Sequence, residues 1–333
     1  MPREIHLVNR PEGVPQPSDF ALVRAPDPDP GEGDVVVANL WMSVDPYMRG
    51  RMRDAQSYAA PWQLNHVCDG RAVGRVLDSR HPGFAPGDLV RSLFGWREIF
   101  AAPGDTLEKL DAAYPHAQHY LSALGGTGLT AYIGLLDLCD PQPGETVFVS
   151  GAAGAVGSVA GQIARIRGCR VVGSAGSDAK VSLLTEEFGF DAGFNYKRDD
   201  PMDALADLAP DGVDVYFDNV GGRHLEAALD HMNDFGRVCA CGSISRYNDA
   251  APAPGPSNLF QVVPKRLQMR GFIVTDHLDR LPQFEADVKG WIASGELRVE
   301  ETVVDGLESA VEAFLGLFRG ENTGKMLVRL ASG

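Results

Sequence analysis

A strand, a glycine turn and a helix start lie back to back in the middle of the chain. The run is Glu145-Thr-Val-Phe-Val-Ser150, then Gly151-Ala-Ala-Gly154-Ala-Val-Gly157, then Ser158-Val-Ala-Gly161-Gln-Ile-Ala-Arg165. Few folds accept this order. The β-branched strand must be buried, the turn must be tight, and the small residues behind it let a helix pack close on a sheet. Backbone N–H groups at such a turn, with a helix N-terminus behind them, form a site for a pyrophosphate. The spacing is G-x-x-G-x-x-G rather than G-x-G-x-x-G, so the flanking strand and helix carry the inference.

The surrounding texture agrees. Past Leu124, helix-like Leu129 to Leu138 leads to strand Thr146 to Val149 and helix Gly157 to Arg167. Strand Arg170 to Gly173, helix Asp178 to Phe188 and short strand Phe194 to Tyr196 follow. Next come strand Val213 to Phe217, a helix from Arg223, strand Gly236 to Cys241 and, after the Pro-rich loop Pro252 to Pro256, a strand over Arg270 to Val274. Strands alternating with helices imply a doubly wound parallel α/β sheet. The first 120 or so residues are instead β-rich and turn-rich, with apolar runs at Asp34 to Ala38 and Val73 to Leu77. The tail, Val299 to Leu330, returns to that texture. The expected organisation is a nucleotide domain, 124–298, inserted into a β-rich domain formed by 1–123 plus 299–333.

Composition narrows the partners. The 333 residues, 44% hydrophobic, suffice for about two domains with real cores. A net charge of −15 argues against nucleic acid and anionic membrane as partners. Five cysteines without a framework point to a reduced, cytoplasmic setting. The N-terminus lacks the apolar stretch of a signal peptide. The longest uncharged run, Val147 to Ala164, has membrane-span length but holds the glycine turn in its middle. Asp27-Pro-Asp-Pro-Asp-Pro-Gly31 reads as a surface turn, because its prolines forbid a calcium loop.

Enzymes that prefer NAD usually place an acid at the end of the second strand, about 20 residues beyond the glycines, to hold the ribose 2′-OH. Here the strand ends in Ser174, Ala175 and Gly176. Asp178 lies at about that distance but opens the next helix, where it reads as an N-terminal cap. Lys180 follows and could face a 2′-phosphate.

Metal sites are poorly supported. A catalytic zinc needs about three Cys, His or carboxylate ligands. His66 and Cys68 lack an upstream cysteine, Cys239 and Cys241 have no further ligands nearby, and His116 and His119 lack a third. No Ser/His/Asp arrangement is visible.

Several stretches together resemble the medium-chain dehydrogenase/reductase superfamily in its zinc-lacking branch. The closer similarity is to the prostaglandin reductase, alkenal double-bond reductase and curcumin reductase group. The stretches are Met42-Ser-Val-Asp-Pro-Tyr-Met-Arg-Gly-Arg51, Gly128-Leu-Thr-Ala-Tyr132, Gly151 to Gly157, Phe217-Asp-Asn-Val-Gly-Gly222, Cys241-Gly-Ser-Ile-Ser-Arg-Tyr-Asn248 and Glu321-Asn-Thr-Gly-Lys325. Two stretches depart from the group: Gly125-Gly-Thr-Gly128, where Gly-Met-Pro-Gly is usual, and His66-Val-Cys-Asp-Gly70.

The resemblance implies a Rossmann sheet inserted into a GroES-like domain, and NADPH-dependent reduction of an activated C=C bond. It implies cofactor contacts from Gly154, Ala155, Val156, Gly157, Thr130, Lys180, Tyr196 and Asn219. It implies others from Cys241, Gly242, Ser243, Ile244, Ser245 and Tyr247, from Phe272, Ile273 and Val274, and from Asn322. Tyr247 and Tyr47, the latter expected to face the cleft, are the candidates for contacting the substrate carbonyl or supplying a proton. Arg49 and Arg51 could meet an acidic substrate tail, although a solvated loop is the plainer reading. A zinc-independent quinone oxidoreductase is the alternative activity. A homodimer is expected through the sheet edge at Arg270 to Val274.

Overall fold

The computed structural model describes residues 1–251 and 253–330; Pro252, at the start of the Pro-rich loop, lies outside them. The chain divides into two compact units. One comprises 1–121, 301–322 and the tail from 326; the other comprises 122–300 with 323–325.

In the second unit six parallel strands form one sheet among the described residues. They are β1 (Thr146–Val149), β2 (Arg170–Ala175), β3 (Ala192–Asn195), β4 (Val213–Asp218), β5 (Met232–Ala240) and β6 (Gln268–Gly271), in the spatial order β3-β2-β1-β4-β5-β6. Strand order reverses between β1 and β4, and ligands of such sheets bind beyond the carboxyl ends of the strands at that point. Helices α1 (Gly157–Ile166), α2 (Asp178–Glu186), α3 (Pro201–Leu208) and α4 (Gly222–His231) connect the strands.

β1 is apolar on both faces and buried throughout, as a strand covered on two sides must be. On one side Phe148, Tyr216, Val238 and Phe194 pack with Ala227, Ala228 and Leu229 of α4. On α1, Gly161 lies against Phe190: a Cβ at Gly161 would fall 1.9 Å from the ring. That contact accounts for the glycine as close helix packing.

Two helices escape the sequence reading. α3 begins at Pro201 behind an Asp200 cap whose Oδ1 accepts from the Met202 amide at 3.0 Å. A helix over Leu281–Ser294 follows a 3₁₀ segment at Val274–Arg280. The latter corrects the last strand: β6 stops at Gly271, and Phe272 to Val274 lie beyond it. The expected helix at Leu129 starts earlier, at Gly126, and widens into a π-helical segment over Ile133–Cys139. β3 ends at Asn195, which leaves Tyr196 just past the strand.

The first unit is largely antiparallel. Asp34–Ser43 pairs with Ala72–Ser79 along one side; along the other it pairs first with Ile99–Pro103 and then with Leu327–Arg329 of the returning tail. Its core stacks Trp96 on Phe20 at 5.9 Å, with Trp62 and Phe314 edge-on to Trp96. Among the described residues no helix is long and apolar enough to cross a membrane.

Candidate functional site

The glycine turn leaves β1 at Gly151, whose φ of +60° suits glycine. The Ala152 amide donates to the Ser174 carbonyl at 2.8 Å, which fixes the turn to β2. Gly154 N–H donates back to the Gly151 carbonyl at 3.0 Å. Gly157 opens α1 so close to the turn that a Cβ would lie 2.4 Å from that carbonyl oxygen. The amides of Val156 and Gly157 find no acceptor among the described residues, whereas the Ala155 amide is turned to Gly324 by the bridge between Gly154 and that residue. With the positive end of the α1 dipole behind them, the Val156 and Gly157 amides are placed to donate to a phosphate. From the tail segment 323–325, Gly324 N–H donates to the Ala153 carbonyl at 2.8 Å and closes the back of the turn. Asn322 immediately precedes that segment and belongs to the other unit.

Beyond β2 the backbone turns at Gly176. Ser177, not Asp178, caps α2: its Oγ accepts from the Lys180 amide at 3.3 Å. This corrects the cap assigned to Asp178. Asp178 is held by Asn195 Nδ2 and Arg198 Nη1, each at 3.0 Å, so its carboxylate is engaged at the rim.

A Cβ on Gly176 would lie 2.9 Å from the Tyr196 hydroxyl and 3.4 Å from Lys197 Cε. The missing side chain therefore lets the Tyr196 phenol and the Lys197 chain come up against the backbone at Gly176. The half-buried Lys180 ammonium has its pKa pushed below the ordinary 10.5, first by burial and then by Lys197. An ammonium disfavoured by burial and by a second amine, beside a hydroxyl, suits a phosphate dianion. Lys197 is a member of this group that sequence reasoning missed; only the pairing of β2 with β3 brings it beside Lys180. The Tyr196 ring is edge-on to buried His224 at 5.2 Å.

At the switch point, Asn219 Nδ2 donates to the Ser150 carbonyl at 2.8 Å, and Asn219 N–H donates to Ser150 Oγ at 3.0 Å. The segment from Cys241 through Gly242, Ser243, Ile244 and Ser245 to Tyr247 follows β5 and packs on the Asn219 turn. The amides of Cys241 and Gly242 donate to the Asp218 carbonyl at 3.0 and 2.9 Å, and Ile244 N–H to the Asn219 carbonyl at 3.1 Å. Burial pushes the Cys241 thiol up to about 12, so it stays protonated and forms a wall rather than a nucleophile. The Tyr247 hydroxyl receives the Ser243 amide at 3.4 Å. Burial raises its pKa above 10.0, so the phenol keeps its proton and can donate it.

Other candidates of the same unit have local partners. Thr130 Oγ1 donates to Gly126 O at 2.7 Å within its own helix. Phe272, Ile273 and Val274 follow β6, with Phe272 against His277 at 6.2 Å.

In the first unit Tyr47 sits at the head of a short turn, Met48–Arg51, after Asp34–Ser43. Burial raises its phenol well above the ordinary range; Asp45 adds to the shift, while Arg71 and Arg51 oppose it. Arg71 is thus a cation near Tyr47 that sequence reasoning passed over.

The solvated-loop reading of Arg49 and Arg51 is corrected. Arg49 is buried, its guanidinium donating to the carbonyls of Pro11 at 3.2 Å and Gly13 at 2.8 Å. Arg51 makes a bidentate pair with Asp69, one bond at 2.9 Å, and lies over Trp62. Neither is left to meet a substrate anion.

His66 is exposed and bonded to the Leu64 carbonyl at 2.9 Å, whereas Cys68 is buried. His116 and His119 stack at 4.7 Å, and His119 Nδ1 lies 2.8 Å from the Tyr114 hydroxyl. No group of three or more His, Cys, Asp or Glu side chains stands together among the described residues.

Comparison with known proteins covers nearly the whole chain. Residues 3–110 match the family described as the N-terminal domain of oxidoreductase, and residues 155–289 the family described as zinc-binding dehydrogenase. The NADP(+)-dependent 2-alkenal reductase of Nicotiana tabacum is 43% identical, over 99% of this chain and 97% of its own length. The NADPH-dependent curcumin reductase of Escherichia coli is 40% identical, over 98% of this chain and 96% of its own. The crystal structure of CurA from Vibrio vulnificus in complex with NADPH superposes with a TM-score of 0.95 at 38% identity, covering 99% of this chain and 100% of the other.

Proposed function

The chain belongs to the zinc-lacking branch of the medium-chain dehydrogenase/reductase superfamily, in its double-bond reductase group, and from that premise we propose how its residues carry out NADPH-dependent reduction of the C=C bond of α,β-unsaturated ketones and aldehydes. The observation that carries the reading is the Tyr247 loop. A phenol held protonated by burial stands on the same strand ends as the glycine turn and Asn219.

NADPH, when bound, would supply a hydride to the β-carbon of the enone; the charge gathering on the carbonyl oxygen is discharged when a tyrosine or water gives a proton to the α-carbon, which completes the saturated product. The turn from Gly154 through Ala155 to the Val156 and Gly157 amides would hold the pyrophosphate. Lys180, Lys197 and the Tyr196 hydroxyl hold the 2′-phosphate beside Gly176, where β2 offers no acid to bind a free 2′-OH. Asn219 commits its side-chain nitrogen to Ser150, so its side-chain oxygen is the acceptor it would offer the cofactor. Cys241 to Ser245, Thr130, Phe272 to Val274 and Asn322 complete the cofactor walls.

Tyr247 donates a hydrogen bond to the enolate oxygen. Such a preorganised donor is worth more in the transition state than in the ground state, because the charge it meets is only then developed. The Ser243 amide occupies an acceptor position of the phenol oxygen, which directs the proton elsewhere. Tyr47, of the β-rich unit, is the second donor to the substrate. That unit is the substrate domain, and the unit with the parallel sheet is the NADPH domain.

The protein works as a cytoplasmic homodimer. All five cysteines are free thiols. The edge strand β6 is exposed, and Leu259, Phe260 and Val263 lie exposed before it, an apolar edge of the kind a second copy covers. Sedimentation should give twice the chain mass; a monomer at micromolar concentration contradicts the dimer.

An NADPH-oxidation screen over enals, enones and quinones tests the activity. Turnover of enals and enones to saturated carbonyls supports it. Turnover of quinones alone would assign the chain to quinone reduction.

A further inference from the structure

Asp218 closes β4 with a carboxylate 4% exposed. Four donors converge on its Oδ1: the Tyr216 hydroxyl at 2.7 Å, Gly221 N–H at 2.7 Å, Val220 N–H at 3.0 Å and the Ser150 hydroxyl at 3.2 Å. Two of these donors belong to the turn that carries Asn219, so one oxygen sets the shape of that turn. The turn then presents its carbonyls outward. Asn219 O accepts from Ile244 N–H at 3.1 Å, and Val220 O accepts from the Ser245 hydroxyl at 2.6 Å and the Ser245 amide at 3.3 Å. The approach is tight: Gly221 has a φ of +70°, and a Cβ on it would lie 2.4 Å from Ser243 Oγ. The Asp218 backbone carbonyl holds the other end of the same loop through Cys241 and Gly242.

We propose that Asp218 is a positioning residue for the reaction, holding Asn219 and, through the Asn219–Gly221 turn, the Tyr247 loop in one fixed arrangement. Its Oδ1 is taken up by the protein's own donors. The placement rests on an acceptor at the Oδ1 position rather than on charge, because all four side-chain contacts fall on that one oxygen. An asparagine can supply the same oxygen; an alanine cannot. Burial raises the Asp218 pKa, so charge on this carboxyl costs stability rather than adding it. A carboxylate kept against that cost, at the root of the Tyr247 loop, fits a role in geometry.

The inference rests on the double-bond reductase reading only for its kinetic readout. Asp218→Ala, Asp218→Asn and Ser150→Ala are compared with the parent by hydrogen exchange, NADPH titration and steady-state kinetics with a neutral enone. Asp218→Ala should speed exchange of the amides in 219–221 and 241–247 by tenfold or more while β1 and β2 stay protected. It should weaken NADPH by about tenfold and lower kcat more than it raises the enone KM, as the loss of a buried hydrogen-bond acceptor implies. Asp218→Asn should restore each readout to within roughly threefold of the parent. Unchanged exchange and NADPH affinity in Asp218→Ala would overturn the proposal, as would an Asp218→Asn variant equally impaired. If Asp218→Ala does not fold, Ser150→Ala decides: faster exchange in 219–221 supports the placement, and unchanged exchange overturns it. If the parent reduces no enone, the activity reading fails, while exchange and NADPH binding still judge Asp218.

Discussion

The side-chain amide of Asn219 donates to the carbonyl of Ser150 at 2.8 Å and ties the end of β4 to the end of β1 where the strand order reverses. The glycine turn grows from one of those ends and the Asn219 turn from the other. That bond, with the Asn219 amide on Ser150 Oγ and the Ser150 hydroxyl on Asp218, holds the glycine turn in place relative to the loop that carries Tyr247. The account of this protein depends on that rigidity, since hydride transfer tolerates little misplacement.

Cofactor choice follows from the far side of β2. Lys180→Ala should weaken NADPH by about 10- to 100-fold, the loss of a charge-assisted phosphate contact of about 1.5–3 kcal/mol, and leave NADH affinity nearly unchanged. Fluorescence titration with both nucleotides checks this; an unchanged affinity ratio removes Lys180 from the 2′-phosphate site.

Tyr247→Phe should lower turnover of an enone by about tenfold or more while NADPH still binds, as expected for one donor to a developing enolate. Stopped-flow measurement of NADPH oxidation separates the chemical step from binding. Parent-like turnover would reject the role.

Acid should weaken the fold. Burial holds His224 neutral and lowers its pKa from 6.5 to about 4. An unfolded chain takes up that proton at the higher value. The stability of the neutral form is thus complete above 6.5 and is lost as pH falls toward 4, by on the order of 3 kcal/mol. Buried His119 has a pKa near 4 as well and adds a loss of the same sign. Denaturant titrations across this range should show the decline, and His224→Phe should lose less than the parent. Equal pH slopes would contradict the assignment to His224.

Gly161→Ala should destabilise by about 1–3 kcal/mol, because the new Cβ would overlap the Phe190 ring, 1.9 Å away, in a packed interface. Thermal unfolding checks it; a parent-like Tm would mean that α1 shifts without cost.

The parallel sheet was legible because β1, β2 and β4 are short, mostly apolar runs set between helices, and burial on both faces demands such runs. α3 was hidden by its opening proline, although the Asp200-Pro201 cap was there to be read. β6 was drawn too long because Phe272-Ile-Val274 favours strand, while the chain turns into a 3₁₀ segment there. At the site, the glycine turn and the absence of an acid after β2 were readable from spacing, and Lys180 stands as a proposal that the resemblance added. Asp218 was not readable, since its value lies in donors from Ser150, about seventy positions earlier, and from its own turn. The burial of Arg49 was invisible for the same reason: Pro11 and Gly13 reach it only through the fold.

The most direct test follows the hydride itself. NADPH carrying deuterium at the transferable position of C4 is incubated with the protein and an α,β-unsaturated ketone, and the product is read by NMR. One deuterium on the β-carbon of a saturated ketone is the predicted result. Deuterium on the carbonyl carbon of an allylic alcohol, or no transfer to any enone or enal, would contradict double-bond reduction.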